Sequence, residues 1–263
     1  MTSSHFLYQK FKYDRNYILI KIDFWFIIKT NGQFRILVIK LNDHNSSKKS
    51  RKQRETELRK QIIIEAAEKL FLSEGYEKTT MDEIANQSEF SKGTLYNYFK
   101  SKDELYLAIG IKAYDLILEY TEKFTKKQPP GLNQLIAIGY AYYEFTKDNP
   151  AYSSIFHDVA VKIPDIGIKP KEKLSQIEIE YLDSINRYRN IFIKILGDAI
   201  KVKAIRKDKN PNLIGYILST ITSGIISDFL QNSEIAKRFG LNFDEIIDFT
   251  FEILADGLKP REN

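Results

Sequence analysis

Lys92-Gly93-Thr94-Leu95-Tyr96-Asn97-Tyr98 gathers one cation, three hydroxyl groups, a carboxamide and a glycine into consecutive positions. At helical spacing Leu95 and Phe99, i and i+4, turn inward together. That leaves Lys92, Gly93, Thr94, Tyr96, Asn97 and Tyr98 on the open side. Such a face suits phosphate oxygens and base edges, because cations and hydroxyls position a polyanion while a carboxamide reads donor and acceptor pairs. Gly93 permits near approach of the backbone. The residues just before it, Ile84, Ala85, Phe90 and Ser91, supply an inward contact, a small side chain for close helix crossing, a corner filler and an N-cap. The stretch is read as a DNA-binding helix-turn-helix. Taken alone, Ser-x-Gly followed by aromatics also fits an ordinary helix start with core aromatics, so the surrounding elements decide.

Other chemistry finds little support. The absence of cysteine excludes disulfides, thiolate catalysis and thiol redox sensing, and is consistent with a cytoplasmic location. His5, His44 and His157 lie far apart and make no metal spacing or nucleophile–base pair. His157 reads as a surface or satisfied core histidine, and its neighbours in an acid–base reading, Glu144 and Asp158, as surface residues. No enzyme activity, metal or cofactor is expected. The net charge of +5 fits a polyanionic partner without demanding one. Its placement says more. Lys48, Lys49, Arg51, Lys52 and Arg54 precede the first expected helix as a basic arm, with Arg51 and Arg54 as candidate DNA contacts, or else as a solvated tail.

Upstream, Leu58, Ile62, Ile63, Ala66, Ala67, Leu70 and Phe71 recur at helical spacing between Glu57 and Phe71, and Gly75 is placed to stop that helix. Thr80 with Glu83 three residues on forms a capping box for the second helix. A three-helix unit is implied. Within it, Ile64-x-Ala66-Ala67-x-x-Leu70-Phe71-x-x-x-Gly75-Tyr76-x-x-Thr79-Thr80, then Ile84-Ala85, then Ser91-Lys92-Gly93-Thr94-Leu95-Tyr96-x-Tyr98-Phe99-x-x-Lys102-x-x-Leu105 resembles the N-terminal domain of TetR-family transcriptional regulators. The resemblance runs from about residue 54 to 105. One departure is the turn Ser88-Glu89-Phe90, where the family usually has Ala-Gly-apolar; a non-glycine held at positive φ there costs on the order of 1 kcal/mol.

The resemblance implies an all-α protein with a DNA-binding domain over 51–101 and a larger ligand-binding and dimerisation domain over 102–263. It implies that Thr94, Tyr96 and Tyr98 position phosphates, that Lys92 and Asn97 reach base edges, and that Gly93 gives clearance. Thr80 and Ser91 cap their helices, and Lys102 matches a phosphate-contacting position. A helix from about Lys102 to Thr125, capped by Ser101, would join the domains. Further helices are expected at Leu132–Lys147, Ala151–Val161, roughly Glu172–Val202, Asn212–Gln231 and Phe243–Leu258. The aromatic-rich segment after Gly139 resembles a helix pair common in the family's regulatory domains, and Tyr114, Tyr140, Tyr143, Phe156 and Tyr188 are candidate lining for a small-molecule effector, apolar or aromatic.

The last two helices carry more apolar surface than one internal face requires. Ile217, Ile221, Gly224, Ile225, Phe249 and Ile253 are candidate contacts of a homodimer, in which two recognition helices would read successive major grooves of a palindromic operator. Repression relieved by an effector is the implied mechanism. The alternative is a DNA-binding protein of this fold that answers to a protein partner or organises DNA without a small ligand.

Residues 1–50 lie outside the resemblance. Tyr17–Ile28 and Phe34–Leu41 are rich in β-branched and aromatic residues, and Asn31-Gly32 between them signals a β-hairpin that would set Trp25 opposite Val38 and Asp23 opposite Lys40. Lys21 and Asp23 interrupt the apolar run, so no membrane span is expected, and a signal-peptide cleavage site is lacking. Either a real hairpin is appended, or the reading frame is taken from too early a start codon, which the Phe, Ile, Lys, Asn and Tyr bias favours.

Overall fold

The computed structural model describes residues 50–260, without the side chains of 160, 167, 229–233 and 235–237, and the strand backbones within residues 18–36. The chain divides into two units, Met1–Lys40 and Leu41–Asn263. In the first, β1 (Ile18–Ile22), β2 (Trp25–Thr30) and β3 (Gln33–Ile36) form an antiparallel sheet in the order β1-β2-β3. The expected first strand is therefore two, since Ile22 pairs with Trp25 and Ile18 with Lys29. β2 and β3 pair from Ile27↔Ile36 to Thr30↔Gln33, the register the Asn31-Gly32 signal predicts. Asn31, Gly32, Asp23, Val38 and Lys40 lie outside the described residues, as do His5, His44, Lys48 and Lys49.

The second unit is all-α among its described residues. α1 (Arg51–Glu74) begins six residues before the expected Glu57, because Ser50 and Gln53 form a reciprocal capping box, and it ends at Gly75, whose φ is 83°. Arg51, Lys52 and Arg54 therefore lie in the first turn of a helix and not in an arm ahead of it. Ile63, Ala66, Ala67 and Phe71 are buried, whereas Leu58 and Ile62, expected on the inner stripe, are exposed. α2 (Met81–Gln87) packs against α1 and α3 (Lys92–Tyr98) against α2, and α4 (Lys102–Thr125) leaves this unit as expected, its Ser101 cap accepting from the Glu104 backbone N–H.

α5 (Leu132–Asp148), α6 (Pro150–Lys162) and α7 (Gln176–Lys201) surround α4, and α8 (Pro211–Arg238) and α9 (Phe243–Leu258) complete the unit. α7 starts later than Glu172, since Ser175 and Glu178 make a capping box that the sequence pattern Ser-x-x-Glu already carried. α8 runs past Gln231 to Arg238, with the first backbone stop at Gly240 (φ 68°). Leu135, Ile138, Ile195, Leu196, Ala199, Ile205, Ile214 and Leu258 build one apolar cluster that ties α5, α7, α8 and α9 together. α9 meets α5 closely at Gly139, where a Cβ would stand 2.5 Å from the Phe251 ring. No described helix is long and apolar enough to cross a membrane.

Candidate nucleic-acid interface

The recognition segment is held entirely from behind. Thr80 accepts from the Glu83 backbone N–H at 3.3 Å while the Glu83 carboxylate accepts from the Thr80 N–H at 2.8 Å, so α2 starts on a complete capping box. Ile84 and Ala85 are buried beneath it. In the turn, Glu89 takes φ 58°, the left-handed conformation that the glycine usual in the family adopts without strain, so the departure from glycine leaves the turn geometry in place at a local cost. Its neighbours hold it there: the buried Ser88 hydroxyl donates to the Ile84 carbonyl at 2.7 Å, and the Phe90 N–H donates to the Ala85 carbonyl at 3.0 Å. Ser91 then caps α3, accepting from the Thr94 N–H at 3.2 Å, and Leu95 and Phe99 anchor the helix inward.

Facing outward are Lys92, Gly93, Tyr96 and Asn97, with Thr94 and Tyr98 half-buried at the edges. Lys92 pairs with Asp82 of α2 at 2.5 Å, both side chains mostly in water, an arrangement that solvent makes cheap to exchange for another anion. A Cβ on Gly93 would meet only the Ser91 hydroxyl, at 3.9 Å, so nothing inside the protein requires glycine there. Arg51 and Arg54 are exposed at the start of α1. That first turn has no acidic residue, and cations there oppose the helix dipole by tenths of a kcal/mol each, a cost an added anion would relieve.

Lys102 is engaged inward. Its ammonium donates to the Tyr76 carbonyl at 2.7 Å and lies 4.2 Å from the centre of the Tyr76 ring. Tyr76 also donates its hydroxyl to Asp103, and stacks in a group with Phe71 and Tyr106 at 6.0 and 4.8 Å. Burial, and then the Asp103 bond, raise the Tyr76 pKa, keeping it a neutral donor. From α6, Lys162 pairs with Glu77 at 2.6 Å. The loop after α1 thus touches both α4 and α6, a contact that sequence spacing did not reveal.

Of the candidate effector residues, the structure brings three together. Tyr114, Phe156 and Tyr188 form a ring cluster, with centroids 4.6 Å apart for Tyr114–Phe156 and 6.2 Å for each pairing with Tyr188. Tyr142 and Tyr181, which sequence reasoning passed over, join it through Phe156 and Tyr114. Burial raises the pKa of the cluster's tyrosines Tyr114, Tyr142, Tyr181 and Tyr188. Tyr140 and Tyr143 go elsewhere. They sit on the α5 side that faces α9, Tyr140 against Phe251 and donating to Asp248 at 2.5 Å, Tyr143 against Phe243 and donating to Asp244. Burial, with the Asp248 bond, pushes Tyr140 up to about 12. His157 hydrogen-bonds Tyr142 through its Nε2, and among the described residues no group of His, Asp and Glu could hold a metal.

Residues 63–109 match the family described as bacterial regulatory proteins, tetR family. The HTH-type transcriptional regulator YhgD of Bacillus subtilis is 30% identical over 175 residues, which cover 65% of this chain and 84% of that protein. The chain belongs to the TetR family. Also similar is the HTH-type transcriptional activator FasR of Mycolicibacterium smegmatis, 31% identical over 132 residues, half of this chain (50%) and 60% of that one. The fold is shared with the transcriptional regulator FadR from Bacillus subtilis in complex with stearoyl-CoA, at a TM-score of 0.55 and 17% identity over 75% of this chain and 98% of that one.

As a TetR-family regulator the protein acts on transcription through DNA, and members of the family take small-molecule effectors and typically assemble as dimers. The candidate dimer residues are on the outside of the single chain. Ile217, Ile221, Phe249 and Ile253 are 42%, 37%, 63% and 54% exposed, Gly224 is open, and Ile225 is half-buried.

Proposed function

We propose that this TetR-family chain is a ligand-responsive repressor that binds a palindromic operator as a homodimer, with residues 51–101 reading DNA and 102–263 taking the effector and the second subunit. The outward face of α3 carries this reading: a glycine with no internal reason to be one, between a cation, hydroxyls and a carboxamide. Thr94, Tyr96 and Tyr98 then position phosphates, Lys92 and Asn97 reach base edges, and Gly93 lets the backbone come close. Arg51 and Arg54 extend the phosphate contact, and Lys102 adds only the N–H groups left after Tyr76. Apolar residues exposed on α8 and α9 support the dimer, since large apolar side chains are rarely left in water in such numbers on one face.

An effector acts by binding best to a conformation whose recognition helices are wrongly spaced, and lowers DNA affinity by that difference. The contacts from α4 and α6 to Tyr76 and Glu77 supply a route for it. The exposed Lys162–Glu77 pair is weak by itself, so the Phe71, Tyr76 and Tyr106 rings carry most of the coupling. Selection of binding sites from genomic DNA by the full-length protein, followed by affinity against salt, tests the reading. A two-fold symmetric site bound by two chains is expected; absence of any preferred site would turn the reading to a partner-controlled or architectural protein.

A further inference from the structure

Arg189, in the middle of α7, is 6% exposed, and its Nε and Nη2 are buried with no hydrogen-bond partner. Glu178 on the same helix is equally buried yet fully provided for, by Lys169 at 2.5 Å and the Ser175 N–H at 2.7 Å. Leaving a buried ion unpaired is among the more expensive things a fold does. A guanidinium cannot escape the cost by shedding its proton, even though burial pulls its pKa down.

The two unpartnered atoms are informative by position. Nε–H and Nη2–H leave one edge of the guanidinium side by side, the fork that matches both oxygens of a carboxylate. Along the helix its neighbours are mostly apolar, with the half-buried Asn186 at i−3 the polar exception. Ile185, Phe192 and Leu196, at i−4, i+3 and i+7, share this side of α7, and Leu196 and Phe192 belong to the apolar cluster with Ile214 and Leu218 of α8. Tyr188, in the aromatic cluster, is the preceding residue.

We propose that Arg189 anchors the effector, and that the effector is an organic carboxylate with an apolar body: its two oxygens accept from Nε and Nη2 while the body lies among the apolar side chains of the α7 stripe. This rests on the reading of the helical domain as an effector domain. The carboxylate supplies the partner the fold withholds, and an apolar molecule without it gains nothing from the buried charge.

The test uses the full chain, titrated calorimetrically with hexadecanoate and 2-naphthoate, the methyl ester of each, and inorganic phosphate. At least one acid should bind about tenfold or more tightly than its ester, the difference that hydrogen bonds to a charged group provide. Arg189→Met should bind acid no better than ester, and Arg189→Lys, which keeps the charge but loses the fork, should fall between. Without ligand, Arg189→Met should melt higher by about 2–4 °C, since an unpaired ion has been replaced by apolar volume. The proposal is overturned if neither acid binds, if ester or phosphate binds as tightly as acid, if Arg189→Met keeps the preference, or if that variant melts lower, which would make Arg189 a structural residue. Site selection on DNA by the wild-type chain separates the two readings. Acid binding without a preferred DNA site defeats the repressor and keeps the anchor; a preferred site without acid binding does the reverse.

Discussion

If Gly93 gives DNA the clearance proposed for it, stability and binding should pull in opposite directions there. It is the second residue of α3, with room for a methyl group, so Gly93→Ala should stabilise the protein by about 0.5 kcal/mol or less in urea unfolding. The same methyl should lower DNA affinity in fluorescence anisotropy, and an unchanged affinity would remove the clearance role. Tyr96 and Asn97 are adjacent but differ in kind. Tyr96→Ala should weaken binding to all sequences alike, whereas Asn97→Ala should relax the preference at one base position by about 1–3 kcal/mol. Identical effects across a panel of operator variants would sink that division. Arg189 belongs to this scale too, because the role proposed for it rests on two buried, unpartnered nitrogens, which no sequence pattern marks.

The helix starts at Thr80, Ser91 and Ser101 were legible in the sequence because an N-cap is a local device, complete within four residues. The same device at Ser50-x-x-Gln53 and Ser175-x-x-Glu178 was present and fixes two starts that apolar periodicity misplaced. Periodicity also put Leu58 and Ile62 inside, since it registers a stripe and not which part of the stripe another element covers. What a helix faces is a tertiary matter: Tyr140 and Tyr143 share a helix with Tyr142 but meet α9 and not the aromatic cluster. In the turn between α2 and α3 the structure holds Glu89 at φ 58°, so the cost that a non-glycine meets at positive φ applies there. Glu89→Gly should therefore stabilise the protein by about 1 kcal/mol in urea unfolding, and a loss of stability would show that the glutamate side chain matters more than its backbone.

For the whole molecule the decisive surface is the one that a single chain leaves uncovered. Ile221→Glu and Phe249→Glu, both at exposed positions, should leave the fold intact and convert a dimer to a monomer in light scattering, because each would put a charge into an apolar interface. Affinity for a full two-half-site operator should fall with it while contacts to one half-site persist. A dimer of unchanged strength would move the interface elsewhere. Gly139 adds a consequence for the geometry of that pair. The Phe251 ring sits in the space a side chain would take, like a tooth in a notch, and it fixes where α9 stops along α5. In the dimer proposed above, Gly139→Ala should push the Phe251 ring outward and shift the partner subunit with it. Such a variant should prefer operators whose half-sites are differently spaced, a change in reading frame made by a methyl group that touches neither DNA nor effector.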